Sequence, residues 1–335
     1  MELLVAVLGI LLIVVAGVDA VLTTISLGGG GPLTTYVARG LWAILPRRRS
    51  GGGSSIHSKL VGPSILLALF AVWALLFWVG WTLLFLSASD AVVNSNTGAP
   101  AGLWDRAYYA GYLLTTLGIG DYRPQGTFFQ LITPVAAGSG FFLITLSVTY
   151  LLSVLSAVIA KRQLAFSILS LGRTPAEMIL RSWTHSGFSQ LASQVDELSE
   201  DVVKLAQQHL AYPVLHYFQT EDMRMSPTVA LAVLDEALSL LLHGTPAEHR
   251  PDPPSLLRTR LAIELFAETV APHQDTGTAP PPPALEPLRD GGVPVVDESI
   301  FHASLEELRQ RRQRLARILE NEGWQWDAVI CHHPL

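Results

Sequence analysis

Three long apolar runs constrain this chain more than any other feature. They occupy residues 3–26, 61–89 and 124–160; only the first contains a charged residue, Asp19. A helix of roughly 20 apolar residues spans the hydrocarbon core of a bilayer. The sequence therefore predicts an all-α, multi-pass membrane protein. Because the first run has no basic segment before it and is interrupted by an acid, we interpret it as a permanent helix (residues 1–27) and not as a cleaved signal peptide.

The charges divide the chain into two parts. Residues 1–162 carry five acids against nine lysines and arginines, and most of the 28 acids lie in residues 163–335. This pattern predicts a membrane part followed by a part that folds in water. The net charge of −6 argues against general nucleic-acid binding. A lone cysteine, Cys331, excludes an internal disulfide.

Basic residues also predict the orientation. Residues 28–60 carry five of them and no acid, and the third apolar run ends in Lys161-Arg162. We expect the protein in the plasma membrane. The positive-inside rule then places residues 28–60 and the C-terminal half in the cytoplasm. The N-terminus and residues 90–123 then face outside. Within residues 28–60, the stretch PLTTYVARGLWAILPRRR suits either a short helix on the inner membrane surface or a plain connector.

The sequence TTLGIGDYRP, residues 115–124, interrupts the membrane part between the second and third runs. The preceding segment, 105–115, is too short to span the bilayer as a helix. Irregular backbone at membrane depth is tolerated only where it is buried in protein or lines a water-filled path. The alternating glycines Gly118 and Gly120 permit left-handed backbone, which turns successive carbonyl oxygens the same way. Rings of such oxygens replace the water shell of a cation.

This stretch resembles the selectivity filter of potassium channels, T-T-V-G-Y-G-D-x-x-P. Leu117 replaces valine and Ile119 replaces tyrosine; the other six defined positions match. The resemblance implies a two-transmembrane pore-loop ion channel domain at residues 61–162. Its parts are an outer helix at 61–89, a pore helix at 105–115, a filter at 116–121 and an inner helix at 127–161. The implied ion-binding residues are Thr116, Leu117, Gly118, Ile119 and Gly120, with K⁺ held by the backbone carbonyls of Thr116, Leu117, Gly118 and Ile119.

The resemblance also implies residues that support the filter. Thr115 and Asp121 flank it, and Tyr108 and Tyr109 stand where many family members have a tryptophan pair. The usual filter tyrosine donates a hydrogen bond to such aromatics, whereas Ile119 has no donor. The sequence therefore predicts a potassium-preferring filter that is less rigid than the usual form.

The third apolar run matches the inner, pore-lining helix of the family. Gly138 and Gly140 lie in its first half. A gating hinge and close helix packing are both consistent with these glycines. The same register implies a set of residues that face an aqueous cavity: Phe141, Ile144, Val148 and Leu152.

A single filter-like stretch per chain predicts a homotetramer, a tetrameric pore-loop channel with an α-helical cytoplasmic domain. The expected function is passive conduction of K⁺ across the lipid bilayer, with no cofactor and no covalent chemistry. One alternative is a poorly selective sodium/potassium channel. Another is a membrane-anchored sensor or interaction protein with a vestigial pore. An enzyme is not expected, because no nucleophile–base pair or metal-ligand spacing is found.

Asp19 and the C-terminal half lie outside this resemblance. We expect Asp19 to be hydrated near the inner interface; pairing with a base, contact with a hydroxyl and proton sensing are alternatives. Residues 163–271 predict a cytoplasmic helical domain, with capping signals at Thr174, Ser226 and Thr245; a further signal lies at Ser304. Residues 272–296 are proline-rich and predict a flexible linker. Residues 297–335 predict a last helix and tail, whose five arginines are expected to be solvated, with anionic lipid or acidic helices as alternative partners.

Overall fold

The computed structural model describes residues 2–26, 30–44, 56–184, 187–251, 253–271 and 278–330. The chain forms two compact units. The first contains the described residues up to 44, residues 62–155 and residues 211–214, and with them most of the apolar runs and a two-stranded antiparallel sheet. Its elements are α1 (Glu2–Ile25), α2 (Pro32–Ile44), α3 (Ile56–Leu86), β1 (Val92–Asn94), α4 (Leu103–Leu114), β2 (Tyr122–Pro124) and α5 (Thr127–Leu171).

The second unit contains the end of α5 and a set of shorter helices. Short 3-10 segments at Pro213–Tyr217, Met223–Met225 and Ala247–His249 connect them, and a π-helical turn, Leu240–Gly244, extends α8. The helices are α6 (Pro175–Ser182), α7 (Ser189–Ala211), α8 (Pro227–Ser239), α9 (Pro253–Val270), α10 (Glu286–Asp290), α11 (Glu298–Glu307), α12 (Arg309–Asn321) and α13 (Asp327–Ile330).

Four helical segments in the described part of the chain are long and apolar enough to cross a membrane. Three of them, α1, Leu60–Leu86 and α5, correspond to the apolar runs of the sequence. The fourth, Pro227–Gly244, is almost entirely buried within the second unit, and it is therefore a core helix. The inner helix was expected to end at residue 161, but α5 continues to Leu171. Apolar residues keep their helical spacing there, and Leu164 and Ile168 enter the core of the second unit.

The N-terminal helix α1 packs directly on α3 through glycine. A Cβ on Gly9 would lie 2.6 Å from the carbonyl oxygen of Gly80, and a Cβ on Gly80 would lie 2.7 Å from Ile13 Cγ1. Small residues allow two membrane helices to bring their backbones into contact, which increases the dispersion attraction between them. The contact therefore fixes α1 against the outer helix of the predicted pore.

Asp19 is buried, so the expectation that it is hydrated is wrong. It is 2% exposed, and its carboxylate accepts hydrogen bonds from Leu33 N (2.8 Å), from the backbone and hydroxyl of Thr34 (Oγ1 at 2.7 Å) and from Trp73 Nε1 (2.9 Å). The first backbone N–H groups of a helix lack partners inside the helix, and a carboxylate there also interacts favourably with the helix dipole. Asp19 of α1 thus caps α2 and connects both helices to α3.

The core of the second unit is built around α8, whose residues are all buried. This helix packs against α6, α9, α12 and α13. Two sequence capping signals are present in the structure: Thr174 Oγ1 accepts from Glu177 N, and Ser226 Oγ accepts from Val229 N. The signal at residues 245–248 starts only a 3-10 turn, and Ser304 lies inside α11.

Two of the five arginines of α12, Arg311 and Arg312, are buried, whereas Arg309 and Arg317 are exposed. Arg312 is 3% exposed and binds both carboxylate oxygens of Glu236 on α8, at 2.7 and 3.1 Å. Arg311 donates to Asp235 (2.6 Å) and to Glu264 (2.7 Å). Burial alone raises the pKa of Asp235, but the guanidinium of Arg311 brings that pKa below its ordinary value. Among the alternatives considered from sequence, acidic helices are therefore the partner of these arginines.

The described part of the proline-rich segment is also packed, which corrects the expectation of a flexible linker. Residues 272–277 lie outside the described residues. Beyond them, Arg312 donates to the carbonyls of Pro280 (3.1 Å) and Pro281 (2.7 Å), and Leu285 and Leu288 are buried in the core of the unit. Proline lacks an N–H but keeps its carbonyl acceptor, so an arginine donor can hold such a segment without any regular structure.

Candidate functional site

The short helix α4 is fixed to the end of α3 by one buried arginine. Arg106 is 5% exposed. Its guanidinium donates to the carbonyls of Ala101 (2.9 Å), Phe85 (2.9 Å) and Ala88 (2.8 Å), and also to that of Ser89. The last carbonyls of a helix lack partners inside the helix, and a guanidinium has five N–H donors in a rigid fork. Arg106 therefore satisfies the end of α3 and sets the position from which α4 starts.

The backbone after α4 alternates between left-handed residues, with positive φ, and residues with ordinary φ. Thr116, Gly118 and Gly120 have φ values of +56°, +58° and +86°, whereas Leu117 and Ile119 do not have positive φ. Lack of space is not the reason for these glycines, because a Cβ at Gly118 or Gly120 would meet nothing within 4 Å in the described part of the chain. The left-handed region itself favours glycine, since an L-residue there costs roughly 1–2 kcal/mol. The filter-like stretch thus has the alternation that was predicted from its two glycines, extended by Thr116.

The α4 end of this loop is anchored on the last turn of α4. Thr116 N donates to Leu113 O and Leu117 N donates to Tyr112 O, both at 2.9 Å. The hydroxyl of Thr115 donates to the carbonyl four residues earlier, at 3.0 Å. These bonds satisfy carbonyls that a helix C-terminus leaves without partners. They fix where the loop begins.

The other end of the loop is anchored on β1. Ser95, the residue after β1, donates from its hydroxyl to Gly120 O (2.7 Å) and from its backbone N to Asp121 O (2.9 Å). β1 pairs with β2, and Tyr122 lies opposite Asn94. The Tyr112 hydroxyl of α4 donates to Tyr122 O at 2.6 Å. Both ends of the loop are therefore tied to neighbouring structure.

The carbonyls between these anchors are free within the described part of the chain. None of the backbone oxygens of residues 116–119 accepts a hydrogen bond there, whereas Gly120 O does. An unpaired carbonyl that is shielded from water costs free energy unless it finds another positive partner. A dehydrated cation is such a partner.

The aromatic residues expected to support the filter form a cluster beneath it. Tyr109 is buried, its ring contacts Phe85 edge-on at 5.0 Å, and its hydroxyl bonds Thr133 Oγ1 of α5 at 3.0 Å. Tyr108 lies beside Asp121 and stacks edge-on against Tyr112 at 5.3 Å. The hydroxyl of Tyr109 thus connects α4 to α5 and is not directed to the filter.

The two glycines of the inner helix differ sharply. A Cβ on Gly140 would lie 2.1 Å from the carbonyl oxygen of Leu114 and 2.5 Å from its Cα, whereas a Cβ on Gly138 would meet nothing within 4 Å. Gly140 therefore lets the end of α4 rest directly on α5. Of the two alternatives drawn from sequence, close packing has a structural basis at Gly140; a gating hinge stays a prediction.

One face of α5 is not covered by the described part of the chain. The four residues expected to line a cavity lie on it, with exposed fractions of 65%, 52%, 51% and 58% for Phe141, Ile144, Val148 and Leu152. Leu117 and Ile119 of the loop are also exposed, at 65% and 51%. The filter loop and this face of α5 are thus apolar surfaces that the other described residues do not bury.

Comparison with known proteins agrees with this geometry. The family described as "Ion channel" matches residues 68–157, which contain α4, the loop and most of the transmembrane part of α5. A protein of Bacillus subtilis (strain 168) named "Uncharacterized membrane protein YdjJ" is 34% identical over 321 residues, which cover 95% of this chain and 94% of the relative. The chain belongs to the family of that membrane protein. Its residues 68–157 are an ion channel domain of the pore-loop type. No solved structure matches the chain significantly.

Three residues of this ion channel domain were missed by sequence reasoning: Ser95, Arg106 and Tyr112. Arg106 gave a usable signal, because it is the one basic residue of α4 and a buried basic residue needs acceptors. Tyr112 stood close to the two tyrosines already singled out, but only the fold shows that its hydroxyl reaches Tyr122 O. Ser95 gave no signal, since a serine in a polar loop is ordinary. Its role depends on a contact across 25 residues of sequence.

Proposed function

We propose that this ion channel domain conducts K⁺ selectively, as a homotetramer in the plasma membrane. The observation that carries the proposal is the alternating hand of residues 116–120, with the carbonyls of Thr116, Leu117, Gly118 and Ile119 unpaired in the described chain. A continuous row of carbonyl oxygens that lack protein donors is what a dehydrated cation needs. Among the common cations, the resemblance of this stretch to the filter of potassium channels favours K⁺.

Tetramerisation is supported by what a single chain lacks. One loop provides one side of an ion path, and four copies around an axis would close it. The exposed side chains Leu117 and Ile119 are apolar surfaces of the kind that assembly buries. In this arrangement Phe141, Ile144, Val148 and Leu152 line a cavity below the filter.

The orientation follows from charge. Residues 28–60 carry five basic residues and no acid, which favours their retention in the cytoplasm. The N-terminus and the β1–β2 sheet then face outside, and residues 163–335 lie in the cytoplasm. We propose that the second unit regulates the pore but takes no part in selecting ions.

A poorly selective sodium/potassium channel is the second candidate, and Ile119 is the observation that favours it. Isoleucine offers no side-chain donor with which to brace the carbonyl rings from outside. A filter with looser rings discriminates less between ions of different size.

Ion flux through the purified full chain in liposomes tests the proposal. The native protein should carry K⁺, and in K⁺/Na⁺ mixtures its reversal potential should lie near that of K⁺. Gly118→Ala should assemble as the native protein does but conduct no ions, because alanine disfavours φ near +58°. Gly40→Ala in α2 is the control, because it lies outside the predicted pore domain and a Cβ there meets nothing within 4 Å in the described structure; it should conduct. A reversal potential that ignores the K⁺/Na⁺ ratio would favour the second candidate, and absence of flux in a tetramer would favour a vestigial pore.

A further inference from the structure

The outer end of the filter loop is held by a part of the chain far from it in sequence. Ser95 contributes two bonds in succession, from its hydroxyl to Gly120 O and from its backbone to Asp121 O. Tyr112 adds a third, to Tyr122 O. Gly120 is the residue directly after the four carbonyls proposed to bind K⁺, so these bonds control where that row of oxygens ends.

Strand β1 is well suited to hold this position, because it is bonded on both sides. One side pairs with β2. On the other side, Asn94 N donates to Ala99 O and Ala101 N donates to Val92 O, both at 2.9 Å. The side-chain oxygen of Asn94 also accepts from the backbone N of Asn96 and Thr97, which closes the turn after β1. Arg106 then fixes Ala101 to the end of α3. Ser95 is thus presented from a rigid support.

We propose that Ser95 is a positioning residue of the ion path. Through its bond to Gly120 O, and with the Tyr112 bond to Tyr122 O, it braces the outer end of the filter. This brace takes the place of the side-chain donor that Ile119 lacks. The inference rests on the proposed function, and it names side chains outside the loop that set its rigidity and therefore its selectivity.

The brace and the missing donor act at different places. A donor on residue 119 would hold the last residue of the carbonyl row from the side, whereas Ser95 and Tyr112 hold the backbone that follows the row, at residues 120–122. Ser95 is half-buried and its bond to Gly120 is reached by water, so this contact contributes less than a fully buried one would. Tyr112 is 5% exposed and its bond is better shielded. The two contacts are therefore expected to act together.

The test compares the native full chain with Ser95→Ala, Tyr112→Phe and the rescue variant Ser95→Thr. Thr97→Ala is the matched control, because among the described residues its hydroxyl accepts from Ala99 N, within the same turn. In liposomes, Ser95→Ala and Tyr112→Phe should lower the K⁺/Na⁺ permeability ratio roughly two- to tenfold when external K⁺ is low, the range that one hydrogen bond controls. Ser95→Thr and Thr97→Ala should match the native channel. A native permeability ratio in both Ser95→Ala and Tyr112→Phe would overturn the inference while leaving the proposed function intact.

A second measurement does not depend on conduction. Hydrogen–deuterium exchange of the full chain in detergent should show faster exchange at residues 116–122 in Ser95→Ala, by a similar factor, and unchanged exchange in Thr97→Ala. Unchanged exchange in Ser95→Ala would overturn the brace. If exchange is faster in Ser95→Ala but the native chain conducts no ions, the brace is retained and the proposed function is rejected. Should Ser95→Ala fail to assemble, Tyr112→Phe carries both measurements.

Discussion

The buried pair between Arg312 and Glu236 supports a quantitative prediction for the second unit. Arg312→Met removes a guanidinium that binds both oxygens of Glu236 and two carbonyls of the proline-rich segment. Breaking a buried ion pair by removing one partner typically costs about 3–5 kcal/mol. Burial raises the pKa of Glu236 even beside Arg312. Without the arginine, burial should raise the pKa of this carboxyl further, and protonation of the carboxyl then limits the loss of stability.

The double variant Glu236→Leu/Arg312→Met separates the charge from the packing. With both charges replaced by apolar side chains, the unpaired carboxylate is gone and only the two prolyl carbonyls lose their donor. The double variant should therefore be more stable than Arg312→Met alone, and the double-mutant cycle should give a coupling of about 2 kcal/mol or more. Arg317→Met is the control, because its pair with Glu320 is on the surface and should contribute less than about 1 kcal/mol.

Urea unfolding of the full chain in detergent measures these differences through tryptophan fluorescence, to which the buried Trp324 contributes. Limited proteolysis provides a second readout, since Arg312→Met should expose the chain at residues 278–285. A loss in Arg312→Met no larger than that of Arg317→Met would refute the argument. Additive effects of the two substitutions would refute it as well, because additivity would mean that Arg312 and Glu236 do not interact.

Three further predictions concern other sites. Gly140→Ala should prevent stable folding of the ion channel domain, since its Cβ meets Leu114 backbone; a thermal melt equal to that of Gly138→Ala would instead favour a hinge. Asp19→Asn should lower the melting temperature, because a charged acceptor of several buried donors is lost, whereas Thr24→Ala should not. Burial, with a smaller effect of nearby Lys161, lowers the pKa of His209 to about 4. Because the unfolded chain binds this proton at higher pH than the folded chain, the free energy of unfolding should fall from pH 6.5 towards pH 4 by up to about 3 kcal/mol. A free energy of unfolding that stays constant over this pH range in the native chain would contradict the prediction.

The sequence by itself determined the features that depend on local chemistry. Apolar runs longer than a bilayer is thick predicted α1, α3 and α5, and alternating glycines predicted the backbone hand of the loop, because both follow from a few adjacent residues. The ion channel family followed from the same ten-residue stretch. Capping at Thr174 and Ser226 was equally local and is present in the structure.

Tertiary structure alone decided which polar groups meet. Asp19 was expected in water and lies against Thr34 and Trp73. Arg311 and Arg312 of α12 were expected to be solvated and are buried against α8. A charged side chain is stable in either setting, provided that it finds water or a partner, so its sequence neighbourhood does not specify the outcome. The same reason hid Ser95, whose hydroxyl acts on Gly120 only because β1 and β2 pair. Long-range contacts between ordinary polar residues are therefore the part of this ion channel that only the fold provides.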